Sequence, residues 1–160
     1  MTSTSETRSF ATAEDLGREY LRALQAKDKA AIMAILADDF ALVVPCTLSG
    51  VNDNSSATWS GLSGPNGADI NLDETFKKIA PIRYPDLEFT PGRNPDIAFA
   101  EGMGDMRMSA TGRHYRNIYV FRFDSEAGKL KRIREYVNPI TWAISMGVAL
   151  PDVEPLCAAR

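Results

Sequence analysis

A chain of 160 residues, 44% hydrophobic and 24% charged, is long enough for one compact domain with its own core. Eighteen Lys and Arg against 21 Asp and Glu leave a net charge of −3, without the basic stripe that grips a phosphate backbone, so nucleic acid is not an expected partner. Two cysteines and a single histidine supply neither a disulfide framework nor a zinc spacing, and no run approaches the roughly 18 apolar residues of a membrane span.

Residues 1–12 are polar and lack the apolar stretch of a secretory leader, so a cytoplasmic location is expected. Residues 1–11 are expected to form a disordered tail, residues 12–150 one domain, and residues 151–160 an irregular tail. Thr12, with an acid three residues on at Asp15, predicts a helix start. Leu16, Tyr20, Leu21 and Leu24 place one apolar stripe on that first helix, which runs to about Ala26. Asp28 is suited to cap a second, shorter helix with Ile32, Ile35 and Leu36 facing inward. Phe40 to Val44 reads as a short strand stopped by Pro45.

Residues 49–67 are mostly Gly, Ser and Asn and predict a long surface loop. Trp59, alone among small polar side chains there, either pins the loop to the body or covers a pocket. Asn71 is expected to cap a third helix with Phe76 and Ile79 inward, ending before Pro81. Turn signals at Pro91-Gly92, Thr111-Gly112 and Ala127-Gly128 then separate three extended runs at 96–108, 115–123 and 129–137. Short turns between strands make an antiparallel meander, completed by the segment at Leu87. Asn138-Pro139 opens a last helix carrying Trp142, Ile144 and Met146. Helices first and an antiparallel sheet second predict an α+β fold, a cone-shaped curved sheet covered by the N-terminal helices. The hollow between the layers would suit a small, mostly apolar ligand.

Strand alternation puts Ile133, Glu135 and Val137 on one face and Arg132, Arg134 and Tyr136 on the other. Glu135 between two aliphatic side chains on an inner face pays a desolvation cost when ionised, which raises its pKa toward the range useful for proton transfer. The competing reading is an ion pair with an Arg on a neighbouring strand. Alternation also groups Phe99, Glu101, Met103, Asp105 and Arg107. Were that face inner, Glu101 or Asp105 would be a second acid or a hydrogen-bond anchor; otherwise it is a solvated salt-bridge ladder. His114, the sole imidazole, is a candidate proton shuttle at a strand start. Tyr115, Asn117, Tyr119, Phe121 and Phe123 share one face, by default a core face from which one tyrosine hydroxyl reaches a pocket.

Tyr84-Pro85-Asp86, Asn94-Pro95-Asp96 and Phe99-Ala100-Glu101-Gly102-Met103-Gly104 resemble the nuclear-transport-factor-2-like, or SnoaL-like, superfamily. Tyr115-Arg116-Asn117, Gly128-Lys129-Leu130 and Arg134-Glu135-Tyr136-Val137-Asn138-Pro139 extend the resemblance, which covers roughly residues 84–151. Within it the pattern is most similar to the phenazine-biosynthesis A/B group, including the tail from Gly147 to Pro151. The resemblance implies a cone-shaped α+β barrel, a homodimer, and acid–base chemistry without a cofactor, with the role of acid–base residue falling on Glu135. It also implies departures: the group's helix His and Ser positions fall on Phe76 and Ala80, and its Arg near the second helix has no counterpart among Ala31, Ile32 and Met33. The expected activity is an isomerase, dehydratase or cyclase acting on a small-molecule intermediate, with Trp59, Phe76, Tyr119 and Trp142 as walls. Alternatives are a non-catalytic binding or accessory subunit, and an epoxide hydrolase, which would need a second acid and a donor near Glu135.

Overall fold

The computed structural model describes residues 12–46 and 64–148, with the side chains of 64–67 and 69–71 outside the description. The two expected tails, Trp59 and most of the 49–67 stretch therefore lie outside the described residues.

Helix α1 (Ala13–Ala26) begins as its sequence dictates: the Asp15 N–H donates to the Thr12 hydroxyl oxygen at 3.2 Å. It ends at Lys27, whose φ of 55° lets its N–H reach back to the Ala23 and Leu24 carbonyls. Asp28 then accepts from the Ala31 N–H at 3.0 Å and opens α2 (Lys29–Ile35). Strand β1 (Leu36–Val43) follows directly, four residues earlier than the apolar run at Phe40 suggests. Its pairing is irregular between Leu36 and Ala41, around the solvated Asp38 and Asp39.

The third helix departs most from expectation. α3 spans Gly64–Lys78, so Asn71 lies inside it rather than capping it, and residues 64–67, expected in the loop, are helical. Pro65 sits in the first turn, where its missing N–H would be unpaired anyway. The glycines and asparagines that argue against helix each cost at most about 1 kcal/mol. Ala68 and Leu72, one turn apart and both buried, offset that by packing against the core.

Strands β2 (Glu88–Pro91), β3 (Ile97–Arg107), β4 (His114–Glu126) and β5 (Lys129–Tyr136) form the expected antiparallel meander. The sheet order is β1-β5-β4-β3-β2, so β1 crosses over and joins β5 in parallel, an edge pairing that the meander alone does not suggest. The five strands make a curved, unclosed sheet. The last helix, α4 (Pro139–Met146), has Asn138 as its cap, Pro139 in its first turn and Gly147 at φ 78° beyond its end.

One face of the sheet is the core. Ala98, Ala100 and Met106 of β3, Tyr115, Tyr119, Phe121 and Phe123 of β4, and Leu130 and Ile133 of β5 are all buried there. Helix α1 lays Leu16, Tyr20, Leu21 and Leu24 over it. The approach is tight at Gly17, where a Cβ would stand 2.7 Å from the Phe123 ring, so only glycine lets this helix settle on the sheet. Among the described residues no helix is long and apolar enough to cross a membrane.

Candidate active site

β5 alternates as expected up to its end. Arg132 and Arg134 point to the outer face, where both reach Asp124, at 3.3 and 3.4 Å, together with Arg122 at 2.7 Å. The intervening Ile133 and Glu135 therefore face the core. Glu135 is in register with Phe121 and Ile133 with Phe123. The arginines that could have neutralised Glu135 are thus committed to an aspartate on the opposite side of the sheet. Among the described residues Glu135 has no hydrogen bond and no ion pair.

Its surroundings are aromatic. Along β4 the rings of Tyr119, Phe121 and Phe123 stack in sequence with centroids 5.3 and 5.9 Å apart. Tyr84 stands edge-on to Tyr119 at 5.3 Å and to Phe121 at 5.7 Å. Such surroundings solvate a charge poorly, and burial pushes the Glu135 carboxyl up from 4.5 to about 7. The residue is nonetheless half-buried rather than sealed.

Four tyrosines feel that carboxylate. Tyr20, Tyr84, Tyr115 and Tyr119 are all pushed upward in pKa, by burial first and with the Glu135 charge adding to it in each case. They stay protonated near neutral pH and can act there only as hydrogen-bond donors or acceptors. Tyr115 is held by Asn117, whose Nδ2 donates to the Tyr115 hydroxyl at 3.1 Å. The Tyr119 hydroxyl reaches the Met106 sulfur at 4.0 Å. A hollow of about 10 Å3, room for one water, lies beside Tyr20 among Ile32, Leu36, Phe40 and Leu72.

The other expected site residues separate from Glu135. Glu101 is exposed on the outer face, in register with Val120. Asp105, on the same face, accepts from the Arg116 Nε at 3.0 Å, which holds its carboxyl below the ordinary range. His114 is exposed at the start of β4, with its Nε2 2.7 Å from Nη2 of Arg107. These form the solvated ladder that alternation left open, because β3 turns its small residues Ala98, Ala100, Gly102 and Gly104 inward instead. The second acid required for epoxide hydrolysis is not supplied by Glu101 or Asp105.

Tyr119 is buried beside the site, while Phe76 and Trp142 are half-buried against the core cluster. Tyr20 and Tyr84 escape a reading based on strand faces alone. The available signal for Tyr20 was a phenol within a leucine stripe, since a buried hydroxyl needs somewhere to donate. Tyr84 lies in an irregular segment with no periodicity to read. Among the described residues no group of three or more His, Cys, Asp or Glu gathers to hold a metal ion.

No protein-family model matches the chain, and no curated protein matches it. Solved structures do. A candidate polyketide cyclase from Pseudomonas putida KT2440 superposes with a TM-score of 0.70 at 20% identity, covering 88% of this chain and 100% of that one. A nuclear-transport-factor-2-like protein from Burkholderia xenovorans LB400 gives 0.65 at 21%, covering 84% and 97%. A phenazine biosynthesis-related protein from Pseudomonas aeruginosa gives 0.66 at 15%, covering 92% and 97%. The chain shares its α+β fold, helices on a curved sheet, with these solved structures.

Proposed function

We propose that the protein is an acid–base enzyme, an isomerase, dehydratase or cyclase, that works on a small, mostly apolar molecule without a cofactor. The observation that carries this reading is Glu135: an inner-face carboxyl with no ionic or hydrogen-bonding partner among the described residues, set against Phe121 and four tyrosines. A carboxyl near pKa 7 is populated in both protonation states at neutral pH. It takes a proton from one atom of the substrate and returns it to another without a large free-energy penalty in either direction. The names of fold neighbours, a candidate polyketide cyclase and a phenazine biosynthesis-related protein, support this class.

The rival reading is a binding or accessory subunit. It is favoured by Phe76 and Ala80 at the positions where the resemblance to the phenazine group implies His and Ser. Titration of the Glu135 carboxyl, followed by isotope-edited infrared or NMR, separates the two. A midpoint near 7 is expected for the enzyme, and one near 4.5 rejects it. Once a substrate is in hand, Glu135→Gln should lower turnover by about 100- to 10,000-fold while leaving the fold intact.

A further inference from the structure

Helix α4 carries no charged side chain. Its inner half is accounted for: Ala143 and Ser145 are buried, and Trp142 and Met146 pack half-buried against the core. Its outer half is apolar as well. Ile140, Ile144 and, just past the helix end, Val148 follow one another at four-residue spacing and are 49%, 52% and 46% exposed. A helix whose outer face meets water ordinarily carries polar residues there, and one that is apolar all round is ordinarily covered on every side.

The stripe ends against the tip of the β3–β4 hairpin. Nη1 of Arg113 donates to the Ile144 carbonyl, and the Thr111 hydroxyl donates to the Ser145 carbonyl, both at 2.7 Å. From Arg113 onward the surface is basic. Arg107 donates from Nη1 to the Gly112 carbonyl and from Nη2 to Nε2 of His114, each at 2.7 Å. Lys77 and Lys78 end α3 beside the same tip, where the Ser109 N–H donates to the Lys78 carbonyl at 2.8 Å. Arg83 lies alongside: its carbonyl accepts from the Asp105 N–H at 2.9 Å, and its charge helps to hold the Asp105 carboxyl low. With Arg116 these make six cations, all exposed. The acids against them are two, Glu74 beside Lys77 and Lys78, and Asp105 beside Arg116, while Asp86 lies farther down the sheet with its carbonyl at Gly102. Six cations against two carboxylates leave four positive charges at one end of a chain whose net charge is −3.

We infer that the α4 stripe and its border of arginines and lysines form a docking surface for another protein, and that the segment received is an acidic amphipathic helix. The aliphatic stripe supplies apolar area to bury, and the opposite charge supplies attraction and register. Arginines held in place by carbonyl and side-chain partners present fixed donors to carboxylates. A second copy seated on this patch across a twofold axis would set arginine against arginine, which argues against the chain as its own occupant here. An anionic membrane fits less well, because the three aliphatic side chains include none of the aromatic residues that settle at headgroup level. Nothing in this surface depends on the role of Glu135.

The probe is a fluorescein-labelled peptide of about five helical turns, built of leucine and glutamate with the leucines three and four residues apart. Fluorescence anisotropy with the full chain should show saturable binding that weakens as salt is raised. Ile140→Gln combined with Ile144→Gln, both exposed and compatible with helix, should weaken it by about tenfold. Arg113→Glu should do the same, and so should Arg83→Glu, which leaves the contacts of α4 with the hairpin intact. Arg93→Glu makes the same change of charge in the turn before β3, at the far end of that strand from Arg107, and should alter binding by less than about twofold. Circular dichroism confirms that each variant is folded. No saturable binding by the full chain, unchanged affinity in the isoleucine or Arg83 variants, or an equal loss at Arg93 would each overturn the inference. Equal affinity for a scrambled peptide of the same composition would overturn it too. So would co-sedimentation with vesicles of phosphatidylglycerol and phosphatidylcholine in place of peptide binding, or a change of the protein's own oligomeric state in the isoleucine variant, which would assign the stripe to a membrane or to a second copy.

Discussion

Asn117 and Asn138 hold each other by two hydrogen bonds: Nδ2 of Asn117 donates to the Asn138 carbonyl at 3.0 Å, and the Asn138 N–H donates to Oδ1 of Asn117 at 3.1 Å. The same Asn138 caps α4 by accepting from the Ile140 N–H at 3.0 Å, and the same Asn117 fixes the Tyr115 hydroxyl. One buried amide thus ties the last helix to β4 and orients a phenol beside Glu135. Asn117→Ala removes both links and strands the Asn138 N–H. It should cost about 2 to 4 kcal/mol of stability, read as a lower urea midpoint.

That clasp shows where sequence reading stops. The cap at Asn138 and the inward face of Asn117 were each legible, because capping and strand alternation are local rules. Their meeting was not, because residues 21 positions apart are joined only by the register of β4 with β5. The inner face at Glu135 was legible for the same local reason, but its lack of a partner among the described residues was not, since an ion pair with an Arg on a neighbouring strand remained open until the register placed Arg122, Arg132 and Arg134 together on Asp124. Other features needed tertiary information: α3 reaching back to Gly64 corrects the expected cap at Asn71, the place of β1 beside β5 had no signal in the sequence, and alternation left open which face of β3 is inner. On β3 the ionisable side chains outnumber the signal from Ala98 and Ala100, yet these small residues and Gly102 and Gly104 beyond them face inward, opposite Phe123, Phe121, Tyr119 and Asn117 of β4.

Gly104 makes this testable. A Cβ there would stand 2.5 Å from Cε2 of Tyr119 and 3.1 Å from Cε of Met106. The methionine can swing away, but the Tyr119 ring is hemmed in by Tyr84 and Phe121. Gly104→Ala should therefore cost about 1 to 3 kcal/mol and alter the aromatic packing. A lowered melting temperature together with a changed near-ultraviolet circular dichroism spectrum is the expected outcome, and an unchanged spectrum would show that the ring is free to move.

The outer face of the sheet carries apolar side chains that no described residue covers. Met103 and Ile118 are directly opposite each other in register, and Ile118 is 68% exposed, with Phe99 and Tyr136 exposed on the same face. Exposed apolar surface of this kind, contiguous on a rigid sheet, marks an interaction face. We propose a second copy of the chain as its occupant, in line with the homodimer that the family resemblance implies. Sedimentation should show a dimer, and Ile118→Arg, which places like charges against each other across a twofold contact, should convert it to monomer without lowering secondary-structure content. A monomeric wild-type protein at tens of micromolar would reject this.

The raised pKa of Glu135 makes a prediction about stability whose sign differs from that of most carboxylates. In the unfolded chain this group titrates near 4.5, and in the folded protein near 7. Between those values the folded state binds more protons than the unfolded one, so raising the pH through that window destabilises the fold. The penalty is absent below about pH 4.5 and complete above about pH 7. A shift of this size has a ceiling of roughly 3 kcal/mol, and water reaching the half-buried carboxyl lowers it. Glu135→Gln, which has no charge to desolvate, should therefore be about 1 to 3 kcal/mol more stable than wild type at pH 8 and nearly equal to it at pH 4.5. Urea unfolding of both proteins at the two pH values measures the difference directly. A stability gap that does not change with pH would mean that Glu135 is charged at little cost, and the proton-transfer role built on its surroundings would fall with it.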